Sequence, residues 1–479
     1  MYDVVVIGGG VCGAMILREL SSYRLKICMA EKENDIAAGA SKANSAIIHA
    51  GFDAESGTLK AKLNVWGSEL MERTAKELGV KYKRNGSLVI GFSEEDRAVL
   101  TALYARGVKN GVKELRITEK EELRSLEPNI SDNAVCALYA PTGAIICPYE
   151  LTIAAVGNAM DNGAELMTNF EVTSIKKCDD GWEVCSGNRE LKTRAVINAA
   201  GINADKISAL AGDDSIKLHP RRGEYILLDK TEGDTVSHTI FDTPSKLGKG
   251  ILITPTVDGN LLLGPTSEDI FDKNNTSTTA GGLSLIKEQA SKRLKAVALN
   301  QTITSFCGLR AVGNTGDFII NSPENGFVNV AGIESPGLSA SPAIAKYVVR
   351  MLKNNGFKLI KRDDFNPVRK PAHWFSDASD DEKNEIIKKN GAYGRIICRC
   401  EGVSEGEIRE AIRTNPPARD LDGIKRRTRA QMGRCQGGFC TPYLAEILSE
   451  ELHIDITEIT KSGEGSKIIF GKTKGECQL

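Results

Sequence analysis

The hydrophobic pattern opens with a short apolar segment at 2–7, a glycine-rich turn at 8–13, a helical stretch to about residue 23 and a second apolar segment at 25–31. This order predicts a β-turn-α-β unit. Helical periodicity returns at 59–78 and 94–110, on either side of a strand at 88–92. The middle of the chain is mixed. It predicts a helix at 149–162, strands at 165–176, 182–186 and 195–200, and strands at 224–228, 250–255 and 260–264 of an antiparallel sheet. Asp258-Gly259, between the last two, is a hairpin turn signal. A strand at 328–331 leads into a helix that runs through 352. Residues 361–395 are polar, with Pro367, Pro371 and the charged run Asp380-Asp-Glu-Lys, and predict a linker or a wrapping segment. A small module follows from 396 to about 452, then a tail containing Gly463, Gly465, Gly471 and Gly475. No internal repeat is visible.

Length and composition narrow the classes. A chain of 479 residues is expected to form two or three domains. Its net charge of −1 gives no reason to expect nucleic acid or a strongly charged partner. It enters a strand at once, without the basic, apolar and cleavage segments of a secretory leader. No apolar run approaches the roughly 20 residues of a spanning helix. The expectation is a cytoplasmic protein, with docking onto a membrane complex through partners left open. Twelve cysteines are many for that compartment, where grouped cysteines point to metal or catalysis. Cys12, Cys28, Cys136, Cys147, Cys178, Cys185, Cys307 and Cys477 are scattered and read as ordinary packing or surface residues.

Gly8, Gly10 and Gly13 form G-x-G-x-x-G directly between strand and helix. The first permits the turn, the second lets backbone approach a pyrophosphate, and the third allows close helix–strand packing, with the helix N-terminus facing the anion. Glu31 stands 18 residues after Gly13, at the end of the second strand, where an acid receives ribose hydroxyls. The unit alone does not separate FAD from NAD. Two later segments favour the larger cofactor. Val196-Ile-Asn-Ala-Ala-Gly201 ends a strand in small residues, and Val330-Ala-Gly-Ile-Glu-Ser-Pro-Gly-Leu-Ser-Ala340 is a second glycine-bearing strand-to-helix turn.

Over residues 1 to about 355 the chain resembles the glycine oxidase/D-amino-acid oxidase superfamily of FAD enzymes. Asn44-Ser-Ala-Ile-Ile-His-Ala-Gly51, Leu59-Lys-Ala-Lys62 and Arg222-Gly-Glu-Tyr225 are similar to the L-2-hydroxyglutarate oxidase branch; a second similar branch is the large subunit of anaerobic-type glycerol-3-phosphate dehydrogenases. The resemblance implies FAD contacts from Gly8, Gly10, Gly13, Glu31, Ala40, Ser41, Val172, Gly201, Gly332 and Gly337.

Two residues are candidates for catalysis. His49 lies in a stretch of small apolar residues, with Gly51 allowing close approach to a ring. It can take an alcohol proton while a hydride leaves for flavin N5, or only orient the cofactor. Arg310, in Phe306-Cys-Gly-Leu-Arg-Ala311, reads as a loop residue able to bind a carboxylate or phosphate bidentately. The resemblance places an anion-binding arginine at this motif in both branches. Arg221 and Arg222 are weaker candidates.

Cys398-Arg-Cys400 precedes Cys435 by 35 residues, and Cys440 follows. In a strand, positions 398 and 400 share a face, so both sulfurs can reach one centre. Ser404-Glu-Gly-Glu407 is a capping box opening one helix, and Thr441-Pro442 opens a second. Four thiolates suit zinc or an iron–sulfur cluster, and C-x-C is unusual for zinc. The stretch 427–440 resembles the bacterioferritin-associated-ferredoxin type of [2Fe-2S] domain, in the version fused to anaerobic glycerol-3-phosphate dehydrogenase. The basic group Lys425, Arg426, Arg427 and Arg429 reads as an offset to cluster charge, a dock for an acidic partner or a solvated face.

The expected fold is α/β (α+β overall): a Rossmann-like FAD-binding domain at 1–80, 140–215 and 320–355, an inserted antiparallel-sheet substrate domain at 81–139 and 216–319, a linker at 356–394, a small helical [2Fe-2S] domain at 395–455 and a tail at 456–479. Flavin and cluster together imply a dehydrogenase that passes its electrons onward, and the resemblance implies sn-glycerol 3-phosphate as substrate and a second flavoprotein or redox subunit as acceptor. Alternatives are a 2-hydroxy acid such as L-2-hydroxyglutarate, an amine, or an electron-relay subunit without substrate chemistry.

Overall fold

The computed structural model describes residues 1–244 and 250–471; Gly475 and Cys477 lie outside the described residues. The first strand, Tyr2–Ile7, is the centre of an eight-stranded sheet. It pairs in parallel with Ile27–Ala30 on one side and with Arg189–Asn198 on the other. Phe327–Ala331 adds in parallel beyond Arg189–Asn198, and Glu165–Met167 beyond Ile27–Ala30. The segment expected as one strand at 165–176 is two, Glu165–Met167 and Ser174–Cys178, the latter in an antiparallel hairpin with Gly181–Ser186. Helices Val11–Ser21, Leu59–Leu78, Pro148–Asp161 and Gly337–Asn354 pack together around a core that includes Val4, Val6, Leu17, Leu63, Leu151 and Ile344. Gly67 is what lets two of them cross closely, because a Cβ there would lie 2.2 Å from the Ser339 carbonyl oxygen.

Local chemistry sets the ends of these elements. Thr58 accepts from the Ala61 N–H to start Leu59–Leu78, and Gly79 ends it in the left-handed conformation. Ser93 caps Glu94–Asn110 through Asp96 N–H, three acids fill the first turn, and Gly111 closes it.

A second sheet of nine strands stands beside the first. Its longest pair is Leu218–Leu228 against Thr302–Gly313, antiparallel, with Arg221 opposite Arg310. Leu252–Pro255 and Leu261–Gly264 form the hairpin expected around Asp258-Gly259. Its core, with Ile226, Ile253, Leu263 and Ile286, includes helix Ala280–Arg293, which the sequence pattern had not singled out.

Residues 356–395 pack as a strap rather than hang as a tether. Ile360 and Arg362 exchange backbone hydrogen bonds with Arg24 and Ser22, and Asn158 and Asn162 both donate to the Asn366 carbonyl. The charged run at 380 is a helix, Asp380–Lys389, with a capping box from Ser379 and Glu382. The terminal module has its own core of Ile397, Ile408, Ile424, Leu444 and Leu448. Three helices build it, not two: Glu405–Arg413, Leu421–Thr428 and Thr441–Leu452. The middle one was hidden by its four charged residues, and Asp420 caps it through Gly423 N–H. Among the described residues, no helix is long and apolar enough to cross a membrane.

Candidate active site and cluster module

A cavity of about 1890 Å³ runs between the two sheets. Gly8, Gly9 and Gly10 form its floor at one end, with Glu31, Ala40, Ser41, Ala200 and Gly201 around them. Gly8 adopts φ +109, and a Cβ there would meet the Ala199 carbonyl oxygen at 2.4 Å, so the turn depends on glycine. Glu31 Oε2 accepts from Gly9 N–H at 2.5 Å and Oε1 from Glu33 N–H at 2.9 Å. Burial pushes the Glu31 carboxyl up, against the pull of those two N–H groups. Ser41 Oγ accepts from Val11 N–H at 2.8 Å, at the first turn of the helix. Gly337 lines the far end, on the turn that opens the last core helix. Gly13 packs under Gly8 instead of facing the cavity, while Val172 and Gly332 are absent from its wall. Val172 is buried beside Phe170 and Ile175.

Above that far end stand His49, Tyr225 and Arg310. His49 Nε2 is 3.2 Å from Ser335 Oγ, its backbone N–H donates to Ser339 Oγ at 2.7 Å, and its ring lies 5.7 Å from that of Phe241. Tyr225 stacks on Phe306 at 4.8 Å and 14°. Arg310 is a strand residue, not a loop residue, because Thr302–Gly313 stays paired across the whole motif. Its Nη2 donates to the Thr266 carbonyl, its buried Nε has no partner, and no carboxylate pairs with it among the described residues. The neighbouring arginines differ. Arg221 also faces the cavity but is held bidentately by Asp269 at 2.6 and 3.1 Å. Arg222 is buried behind the sheet and donates to Glu268 at 2.5 Å. Glu224 of the same motif accepts from Thr279 N–H and Oγ1, so it is a tie between sheet and helix.

Two charged pairs at the cavity were not legible beforehand. Lys60 Nζ meets Glu334 at 2.6 Å, joining Leu59-Lys-Ala-Lys62 to the turn before Gly337. Lys273 bridges both Asp205 oxygens at 2.7 and 2.6 Å.

In the terminal module the strand ends at Cys398, and Cys400 lies in the following turn, so the two side chains do not share a strand face: Cys398 is buried and Cys400 exposed. The thiols associate as two pairs, Cys398 with Cys440 and Cys400 with Cys435. The Cys440 thiol beside it draws Cys398 below the ordinary thiol value. Backbone N–H groups point at these sulfurs: Gln431 and Glu401 at Cys398, Gly437, Phe439 and Gly438 at Cys435. Gly433 is forced by Cys400, whose Cβ would lie 2.3 Å from a Cβ there.

Residues 3–351 match the model of the FAD dependent oxidoreductase family, and residues 396–450 match the BFD-like [2Fe-2S] binding domain. The chain belongs to the FAD-dependent oxidoreductases. Among its relatives is a glycerol 3-phosphate dehydrogenase of Caloramator mitchellensis, 51% identical and matched over 100% of both chains. The human mitochondrial L-2-hydroxyglutarate dehydrogenase is 31% identical over 57% of this chain and 62% of its own length. A solved structure, the dithionite-reduced L-alpha-glycerophosphate oxidase of Mycoplasma pneumoniae with FAD bound, superposes with a TM-score of 0.73 at 33% identity, covering 77% of this chain and 98% of the oxidase.

This oxidoreductase therefore binds FAD, and the cavity fits it: a glycine turn, a helix N-terminus and an acid at the ribose position lie at one end of a space of about 1890 Å³. The module binds a [2Fe-2S] cluster. Two thiol pairs with amide donors at the sulfurs suit two irons better than a single zinc.

Three residues of this module's basic group, Arg426, Arg427 and Arg429, are neither a solvated face nor a free dock. These three bind the rest of the same chain. Arg426 and Arg427 hold Asp35 at 2.6 and 2.8 Å. Arg429 meets Asp258 at 2.6 Å, Glu401 at 2.9 Å and the Tyr149 hydroxyl at 3.2 Å, and so joins both large domains to the turn after Cys400.

Proposed function

We propose that this enzyme oxidises sn-glycerol 3-phosphate at its secondary alcohol, giving dihydroxyacetone phosphate. The observation that carries this is the 51% identity to a glycerol 3-phosphate dehydrogenase over the full length of both chains, cluster module included. When bound, the flavin takes two electrons from the substrate carbon and the cluster passes them on singly. Arg310, in the cavity and without a carboxylate, binds the phosphate. His49 takes the hydroxyl proton on Nε2, with Ser335 fixing the ring.

The oxidase relative ends before the cluster module, since its structure covers 98% of itself but 77% of this chain. That contrast supports electron exit through protein in place of oxygen. The acceptor is a partner redox subunit, either a second flavoprotein or a small electron carrier, and the setting is cytoplasmic, with any membrane contact made through that partner. Exposed Cys400 and the 78% exposed Phe439 beside Cys440 support exit at that surface.

Anaerobic bleaching of the flavin tests the substrate. Glycerol 3-phosphate should reduce it within seconds and L-2-hydroxyglutarate should not. The reverse result moves the enzyme to the 2-hydroxy-acid branch, which the His49 motif resembles. Reduction only through a partner flavoprotein removes the dehydrogenase reading.

A further inference from the structure

Asp422, Lys425, Arg426, Arg429, Met432 and Gln436 of the cluster module form part of the same cavity wall as Gly8–Gly10. One corner of that wall is rich in charge. Lys42, next to Ser41, has Arg426, Asp422, Glu33 and Lys461 around it. Lys425 has Asp422, Lys461, Arg426 and Lys42 around it. The acids there are already committed: Asp422 to Lys461 at 3.0 Å, Glu33 to Lys32 at 3.0 Å, and nearby Asp35 to Arg426 at 2.6 Å. Lys42, which is exposed, and Lys425, which is half-buried, make no ion pair and no side-chain hydrogen bond among the described residues. Desolvation lowers both ammonium groups; at Lys42 repulsion from Arg426 adds to it, while at Lys425 Asp422 opposes it.

Two lysines on one cleft wall, neither held by a carboxylate, suit a ligand carrying negative charge. The cofactor offers it in one place. The adenine and the oxidised flavin ring are neutral, and the diphosphate holds the net charge. Ser41, whose Oγ touches the Val11 N–H at the helix start, brings the Lys42 backbone to the end where a diphosphate binds. We propose that Lys42 and Lys425 together hold the diphosphate of FAD, so that the cluster module supplies part of the flavin site. This rests on FAD binding and not on which alcohol is oxidised.

The test is FAD release from the holoenzyme, followed by flavin fluorescence after dilution at low and high salt. Lys42→Met and Lys425→Met should each weaken FAD retention by about tenfold or more, the range of a charge-assisted hydrogen bond. Each should also flatten the salt dependence. Lys425→Arg should restore most of the retention. The visible absorption of the cluster reports that the module is intact. Retention within about twofold of wild type in either Met variant overturns the proposal. So does an unchanged salt dependence, or a Lys425→Arg variant as impaired as Lys425→Met. If Lys425→Met loses its cluster, Lys42→Met, on the other domain, decides alone.

Discussion

Asp35→Asn should undock the cluster module from the flavin domain. Asp35 is 5% exposed and lies between Arg426 and Arg427, whose side chains are 6% and 5% exposed. Burial alone raises this carboxyl, but Arg427 and Arg426 outweigh it and bring it from 3.8 to about 2. That fall is worth about 2–3 kcal/mol at ~1.36 kcal/mol per pH unit. Because the folded value is depressed, the stability is fully present above pH ~4 and drains as the pH drops toward about 2. The amide removes it at every pH and also leaves two guanidiniums without their carboxylate, a change that typically costs ~3–5 kcal/mol. The lower end, about 3 kcal/mol, is expected, because Arg427 keeps the Pro416 and Gly423 carbonyls. Docking should then weaken by roughly a hundredfold. Urea unfolding of the holoenzyme, followed through cluster absorption, reads this as a lower midpoint at neutral pH. A variant within about 0.5 kcal/mol of wild type refutes the reasoning. So does a wild-type protein that already loses this contact between pH 7 and 5.

Three further outcomes are expected. Arg310→Met should raise KM for glycerol 3-phosphate by roughly a hundredfold, the loss of a charged contact of about 2–3 kcal/mol, with an unchanged flavin spectrum; steady-state kinetics with an artificial acceptor will show it. His49→Gln should lower the anaerobic flavin reduction rate by about 10²–10⁴ while leaving substrate affinity near wild type, and a rate within threefold assigns His49 to cofactor orientation instead. Cys435→Ser should abolish the cluster absorption and the acid-labile sulfide, yet leave substrate-driven bleaching intact under anaerobic conditions; zinc recovered from wild type without sulfide contradicts the cluster.

The parts read well from sequence were those governed by neighbours a few residues away. The glycine turn, Glu31 at the end of the second strand, the capped helices Leu59–Leu78 and Glu94–Asn110, and the Asp258-Gly259 hairpin all follow from local periodicity and turn chemistry. Long-range pairing was hidden. Arg310 looked like a loop residue because its motif is rich in small residues, and only its partner strand, some 90 residues earlier, keeps it extended. Leu421–Thr428 is amphipathic over too few turns to stand out, and the partner of its arginines was hidden because Asp35 is nearly 400 residues away. The commitment of Arg222 to Glu268, too, depends on a strand pairing that no short motif records.

A cavity whose floor is residues 8–10 and whose wall includes Gln436 has a consequence for biosynthesis. At roughly 5–20 residues per second, tens of seconds separate the emergence of these two ends from the ribosome. A nascent chain can fold its first sheet early, but flavin that arrives then meets a pocket open along one side. Cofactor capture is completed only after translation is nearly over, when the cysteine-bearing module has folded and seated on Asp35.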